Sequence, residues 1–246
     1  MRNIRLTIEY DGKCYNGWQK QPDKLNIQGT IEKAIERITG EQVDLMASGR
    51  TDRGVHALGQ VANFKTNSNI PIEKFAIAIN SNLKKSILIK SAEEVDERFH
   101  SRLTCKKKTY RYVINNSKYG TAIYRNLETH IPIKLNVEEM QKAIKFFEGE
   151  HDFKAFKSSG TSSKSSVRTI YKAEVKQMPN DKIWIELTGN GFLYNMVRII
   201  AGTLVEVGLG KIKANEINDI MESKRRENAG KTLPPQGLYL VNVEYE

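Results

Sequence analysis

Cysteine is nearly absent, with Cys14 and Cys105 the only two in 246 residues. They stand in no metal-ligand spacing and are too few for a disulfide framework, which suits a reducing cytoplasm. Histidine is sparse as well: His56, His100, His130 and His151 are scattered and show no ligand pattern. No apolar run approaches the roughly twenty residues that span a bilayer. The opening Met1-Arg2-Asn3-Ile4 runs straight into alternating residues, without a charged-then-apolar leader. The expected address is cytoplasmic. Phosphate-cradling patterns fail too. Gly230-Lys231-Thr232 ends like a P-loop, but Arg225 stands where the loop's first glycine belongs. Gly189-Asn190-Gly191 has Tyr194 in place of the third glycine of a dinucleotide fingerprint. No metal, nucleotide or organic cofactor is expected.

What the chain has in excess is positive charge. It carries 39 Lys and Arg against 29 Asp and Glu, a formal +10 at pH 7. Cations that neutralise phosphates release condensed counterions, so a polyanion is the natural partner. A basic surface kept for solubility has the same charge count. Hydrophobic residues at 39% are enough for a real core.

Residues Ile4, Leu6, Ile8 and Tyr10 alternate with polar neighbours, the period of a half-buried strand ended by Asp11-Gly12. From Ile27 the period becomes helical through Ile31, Ala34, Ile35 and Ile38, and Thr39-Gly40 closes the helix. Strands are expected around Val43 to Met46, Ala57 to Phe64 and Ile87 to Val95. Between the last two, a helix opened by Pro71 carries Phe75, Ala76, Ile79 and Leu83. This order, β-α-β-β-α-β, is the ferredoxin-like pattern.

The second half repeats the order. Thr109 to Ile114 reads as a strand, and Val137, Met140, Ile144 and Phe147 as a helix. Val167 to Lys176 and Lys182 to Leu187 read as a hairpin turned at Pro179-Asn180-Asp181. Helices through Met196 to Thr203 and Ala214 to Ser223 follow, with a closing strand at Leu238, Leu240 and Val243. The reading is α+β, two tandem units of antiparallel sheet flanked by helices, with domains at 1–104 and 105–246. The stretch from Lys157 to Lys164 and the run Lys106-Lys107-Lys108 are basic and lack an apolar period. Both suit either a phosphate backbone or a solvated face.

The most informative segment is Gly49-Arg50-Thr51-Asp52-Arg53-Gly54-Val55-His56-Ala57. A carboxylate sits between two arginines in a glycine-bracketed stretch, where the backbone can turn and approach a ligand closely. Guanidinium groups favour its ionised form and can also grip phosphates in a two-pronged way. A surface turn with a local ion pair fits the same residues.

This segment resembles the catalytic motif of the TruA family of tRNA pseudouridine synthases. Tyr10-Asp11-Gly12, Tyr15 to Gln19 and Ile27 to Thr30 resemble its N-terminal signature. Lys108 to Tyr112 resembles its second motif, Gly191 to Arg198 its third, and Pro234 to Leu240 its C-terminal one. The matches follow family order and cover almost the whole chain.

The resemblance implies isomerisation of uridine to pseudouridine at positions 38, 39 and 40 of the tRNA anticodon stem-loop. It also implies an active-site cleft between the two ferredoxin-like units, a homodimer, and no cofactor. By position Asp52 is the catalytic aspartate, Tyr110 the active-site tyrosine that stacks on the flipped uracil, and Arg198 the basic partner of Asp52. Arg50, Arg53 and His56 are expected to touch RNA. Lys20, Lys106, Lys107 and Lys164 are expected to hold its backbone, and Arg168 has a structural or RNA role. Two other readings stay open at this point. A non-catalytic RNA-binding protein would need an aromatic strand motif that neither half contains. A synthase for another RNA site differs only in loops and surface charge.

Overall fold

The computed structural model describes residues 1–160 and 165–246. The chain forms two compact units, Met1–Lys106 together with Tyr239–Glu246, and Lys107–Leu238. The C-terminal strand therefore folds with the first unit, whereas the expected boundary left it with the second half.

In the first unit, β1 (Arg2–Tyr10) lies between β4 (Ile87–Val95) and β3 (His56–Thr66), antiparallel to both. A two-residue β2 (Met46–Ala47) pairs with β3. The alternation read from the sequence is the burial pattern, with Ile4, Leu6 and Ile8 fully buried. Asn3 is buried as well, because Asn63, together with the carbonyls of Asp96 and Phe99, satisfies its side chain. Helix α1 (Ile27–Thr39) starts at Asn26, whose side chain accepts the Gly29 N–H, and stops at Gly40 with φ +73°. A left-handed residue there closes a helix without the penalty a Cβ would bring. Helix α2 (Ile72–Asn80) follows Pro71 and sets Phe75 edge-on to Phe64 of β3. It ends before Leu83, which lies beyond the following turn rather than on the helix. The expected strand from Val43 shrinks to β2, since Glu32 holds the Leu45 N–H in place of a ladder partner. The unit is completed by β10 (Leu238–Glu244), whose Tyr239 and Leu240 run parallel to His56 and Ala57 of β3.

The second unit is built on β5 (Lys107–Asn115), antiparallel to β9 (Lys182–Gly189), which forms a hairpin with β8 (Val167–Met178). Pro179, Asn180 and Asp181 connect the paired Met178 and Lys182, and Asn180 and Asp181 both have positive φ, a region that Asn and Asp enter more readily than most residues. Short strands β6 (Thr129–His130) and β7 (Gly149–Asp152) extend the sheet from β5 and β8. Helix α3 (Val137–Ile144) packs on β8 and α4 (Met196–Gly208), and α5 (Ile217–Ser223) follows a single 3-10 turn. Helix α4 is buried almost all round. Two glycines explain how its surroundings close on it. A Cβ on Gly202 would lie 1.8 Å from the Lys231 carbonyl, and the Gly230 N–H donates to Thr203 Oγ1. Gly230-Lys231-Thr232 is thus a backbone crossing over a helix.

Candidate active site

The segment carrying Asp52 is held within the first unit on three sides. Upstream, Gln60 Nε2 donates to the Gly49 carbonyl at 2.8 Å, while Gln60 Oε1 accepts from the Ser48 hydroxyl at 2.7 Å. In the middle, the Trp18 N–H donates to the Thr51 carbonyl at 2.9 Å, and the Tyr10 hydroxyl pairs with Thr51 Oγ1 at 2.7 Å. Burial pushes the Tyr10 phenol well above its ordinary 10.0, so it stays protonated and able to donate. Downstream, the Val55 N–H closes a turn on the Asp52 carbonyl at 3.1 Å, with Gly54 at φ +79°.

Two glycines let the N-terminal segment press against this turn. A Cβ on Gly12 would stand 1.9 Å from the Val55 carbonyl oxygen, and one on Gly17 would stand 2.7 Å from that of Thr51. Tyr10, Gly12, Gly17 and Trp18, which the sequence offered only as signature residues, thus form the cradle of the aspartate. Asp52 itself is half-buried, and Arg50 and Arg53 are exposed.

His56 stands apart from the exposed arginines. It is 1% exposed, stacked at 4.9 Å on Tyr239, and its Nδ1 accepts the Gly12 N–H at 3.1 Å. Asp11 Oδ1 lies 3.2 Å from the same Nδ1. His56 joins Tyr239 of β10 and the Gly12 turn to the end of the Asp52 loop; an RNA contact is what the sequence led one to expect of it.

The second unit positions the other two residues. Tyr110 is 9% exposed on β5, facing edge-on to Phe192 at 5.0 Å. Arg198, in the first turn of α4, is half-buried. Its Nε donates to the Leu233 carbonyl at 2.7 Å and its Nη1 to Asn195 Oδ1 at 2.6 Å. Those bonds use two of the five N–H donors of a guanidinium. Asn195 takes a left-handed φ of 61° and also donates to the Ser158 hydroxyl. Neighbouring Tyr112 is buried, with its hydroxyl bonded to Thr129 Oγ1 and the Pro234 carbonyl. Burial raises its phenol, and the positive charge of Arg198 works weakly the other way. The third and C-terminal motifs thus meet through Arg198, Leu233 and Pro234.

Among the remaining expected contacts, Lys20 is exposed and paired with Glu32 at 3.2 Å. Lys106 is exposed, and Lys107 lies 5.5 Å from the centre of the Tyr171 ring. Arg168 donates to the carbonyls of Ser165 and Val167 at the start of β8. Lys164 lies outside the described residues. Among those residues, no group of three His, Cys, Asp or Glu is arranged to hold a metal, and no helix is long and apolar enough to cross a membrane.

A basic α+β chain that fixes one half-buried carboxylate on a braced loop has the equipment of an enzyme acting on nucleic acid. Comparison with known proteins makes the class specific. Residues 6–103 and 143–246 match the family model described as tRNA pseudouridine synthase. Proteins called tRNA pseudouridine synthase A from Acetivibrio thermocellus and Caldicellulosiruptor saccharolyticus are 55% and 57% identical, each match covering 100% of both chains. The Brevibacillus brevis protein of that name is 45% identical over the same coverage. Among solved structures, an archaeal box H/ACA sRNP Nop10-Cbf5 complex covers 96% of this chain and 46% of its own. Its identity is 10% and its TM-score 0.35, too distant to define a fold. The chain belongs to the tRNA pseudouridine synthase A family, and it is an isomerase.

Proposed function

We propose that this chain isomerises uridine to pseudouridine at positions 38, 39 and 40 of the tRNA anticodon stem-loop, with Asp52 as the catalytic carboxylate. The observation that carries this reading is the bracing of the Asp52 loop by Gln60, Tyr10, Trp18 and Gly12. Such bracing suits a group that must meet a reacting atom in one geometry, because small misplacements cost orders of magnitude in rate. A surface ion pair would need none of it.

In the reaction the N1–C1′ bond of uridine breaks, the uracil turns, a C5–C1′ bond forms, the C5 proton leaves to solvent and N1 takes up a proton in its place. Asp52 takes part either by adding to the sugar or base or by removing the C2′ proton on a glycal route. Both routes need an ionised carboxylate shielded from competing water. Tyr110 offers an aromatic edge or face to a uracil taken out of its stack. Arg198 supplies the fixed positive charge that favours an ionised carboxylate. Arg50 and Arg53, which are exposed, meet the RNA in this reading, with Lys20, Lys106, Lys107 and Lys164 as backbone contacts. His56 acts as a positioning residue.

The fold supports the same reading. The first unit has the strand order β4-β1-β3-β2, that of a ferredoxin-like β-α-β-β-α-β sheet, and we read the second unit as its counterpart. A homodimer with no cofactor completes the proposal. The test is tritium release from tRNA transcripts labelled at uracil C5, with wild type and Asp52→Ala side by side. The expected result is release by the wild type alone, with tRNA binding kept by the variant. A wild type that binds tRNA and releases no tritium would overturn the reading.

A further inference from the structure

A second feature of the first unit is outside the Asp52 loop. A surface groove of about 730 Å³ runs along α1 to the turn between α2 and β4, and Lys20, Lys24, Lys33, Arg37 and Lys84 line it against a single carboxylate, Asp23. Lys24, Lys33, Arg37 and Lys84 are exposed. Lys20 has Glu32, but among the described residues no carboxylate lies within 4.0 Å of the other four cations. Elsewhere in the same unit other cations are paired. There Arg2, Arg5, Lys65 and Lys90 each face a glutamate. Unneutralised cations gathered on one groove repel one another, and the arrangement is relieved by an anion that spans several of them.

We propose that this groove is a second grip on the phosphate backbone of the substrate tRNA, formed by Lys24, Lys33, Arg37 and Lys84. The proposal rests on the tRNA reading above. The length is suitable: from Asn26 to Arg37 the helix covers about 16 Å at roughly 1.5 Å per residue, enough to meet more than one phosphate of a strand. Lysines suit such a role because a point charge on a flexible stem follows a backbone without reading bases. The helix N-terminus contributes little. Its N–H groups at Ile27, Gln28 and Gly29 are already taken by the Gly17 carbonyl, the Trp18 carbonyl and the Asn26 side chain. The groove also starts at Lys20, two residues from the Trp18 that holds Thr51, so an RNA lying in it would approach the Asp52 loop from the α1 side.

The test compares two quadruple variants of the full chain with the same net charge. One changes Lys24, Lys33, Arg37 and Lys84 to Gln. The other changes the glutamate-facing Lys65, Lys90, Lys142 and Lys172 to Gln. Equilibrium binding to a tRNA transcript is measured from low to high salt in the Asp52→Ala background, so that turnover plays no part. The groove variant is expected to bind at least tenfold more weakly near 0.1 M salt. Its slope of log affinity against log salt should fall by roughly 0.7 to 0.9 for each phosphate that is no longer neutralised. The control should stay within threefold with its slope intact. Equal losses in the two variants, or no loss in the groove variant, would overturn the groove. If the groove variant loses affinity while the wild type releases no tritium, the groove stands and the reaction assignment fails.

Discussion

Gly12→Ala puts the cradle of Asp52 to a direct test. The added methyl would sit 1.9 Å from the Val55 carbonyl oxygen and 2.7 Å from its carbon, so one backbone must retreat by at least about 1 Å. Gly12 has an ordinary φ, so the effect is one of space and not of torsion. Overpacking of this kind costs about 1–3 kcal/mol of stability, a few degrees of Tm for a chain of this size. The kinetic effect should be larger. Val55 closes the turn on the Asp52 carbonyl, and a 1 Å error in a reacting group costs on the order of 10²-fold in rate. Single-turnover tritium release at saturating enzyme should therefore fall about a hundredfold, with tRNA affinity within threefold of wild type. Gly40→Ala is the companion measurement. It strains a left-handed helix end in open space, so it should lose stability by about 1 kcal/mol and keep its rate. A Gly12→Ala enzyme with a rate within threefold of wild type would refute the idea that this close approach sets the carboxylate.

Two further perturbations probe the same bracing. Tyr10→Phe leaves the buried Thr51 hydroxyl without its partner and should cost about 1–3 kcal/mol. It should also change alkaline stability. Burial raises the Tyr10 phenol above its ordinary 10.0, so above pH 10 the unfolded chain gives up a proton that the folded chain keeps. Stability then falls with rising pH, by up to about 1.4 kcal/mol per pH unit for this group. Urea unfolding from pH 9 to 11.5 should show a shallower decline in the variant, and parallel curves would count against it. Arg198→Lys keeps the charge but cannot reproduce both the Leu233 and Asn195 bonds. Tritium release should drop tenfold or more, with Tm lowered by several degrees, whereas wild-type kinetics would mean that charge alone is needed.

Much of the architecture was legible because it is periodic. Ile4, Leu6 and Ile8 announced β1, and Ile27 to Gly40 announced α1 with its cap. Asn180-Asp181 marked the hairpin. Elements of two to four residues, β2, β6 and β7, have no period and exist only because a longer neighbour pairs with them. The destination of β10 was hidden for a related reason, since alternation says that a strand exists and not which strand it joins. At the site, Asp52 could be singled out from its motif. Its supports could not, because Tyr10 and Thr51 are 41 residues apart and Gly12 and His56 are 44 apart. His56 looked like an RNA contact for the same reason: a histidine beside arginines gives no sign of the ring and backbone that enclose it.

The parallel pairing of β10 with β3 has a consequence for biosynthesis. Translation delivers His56 early, but its stacking partner Tyr239 leaves the ribosome only after the whole of the second unit, Lys107–Leu238, has been made. Until then Gly59 lacks the Val241 carbonyl that approaches it, and one end of the Asp52 loop is unsupported. A nascent chain, or one released early, holds Asp52 and lacks the strand whose Tyr239 stacks on His56.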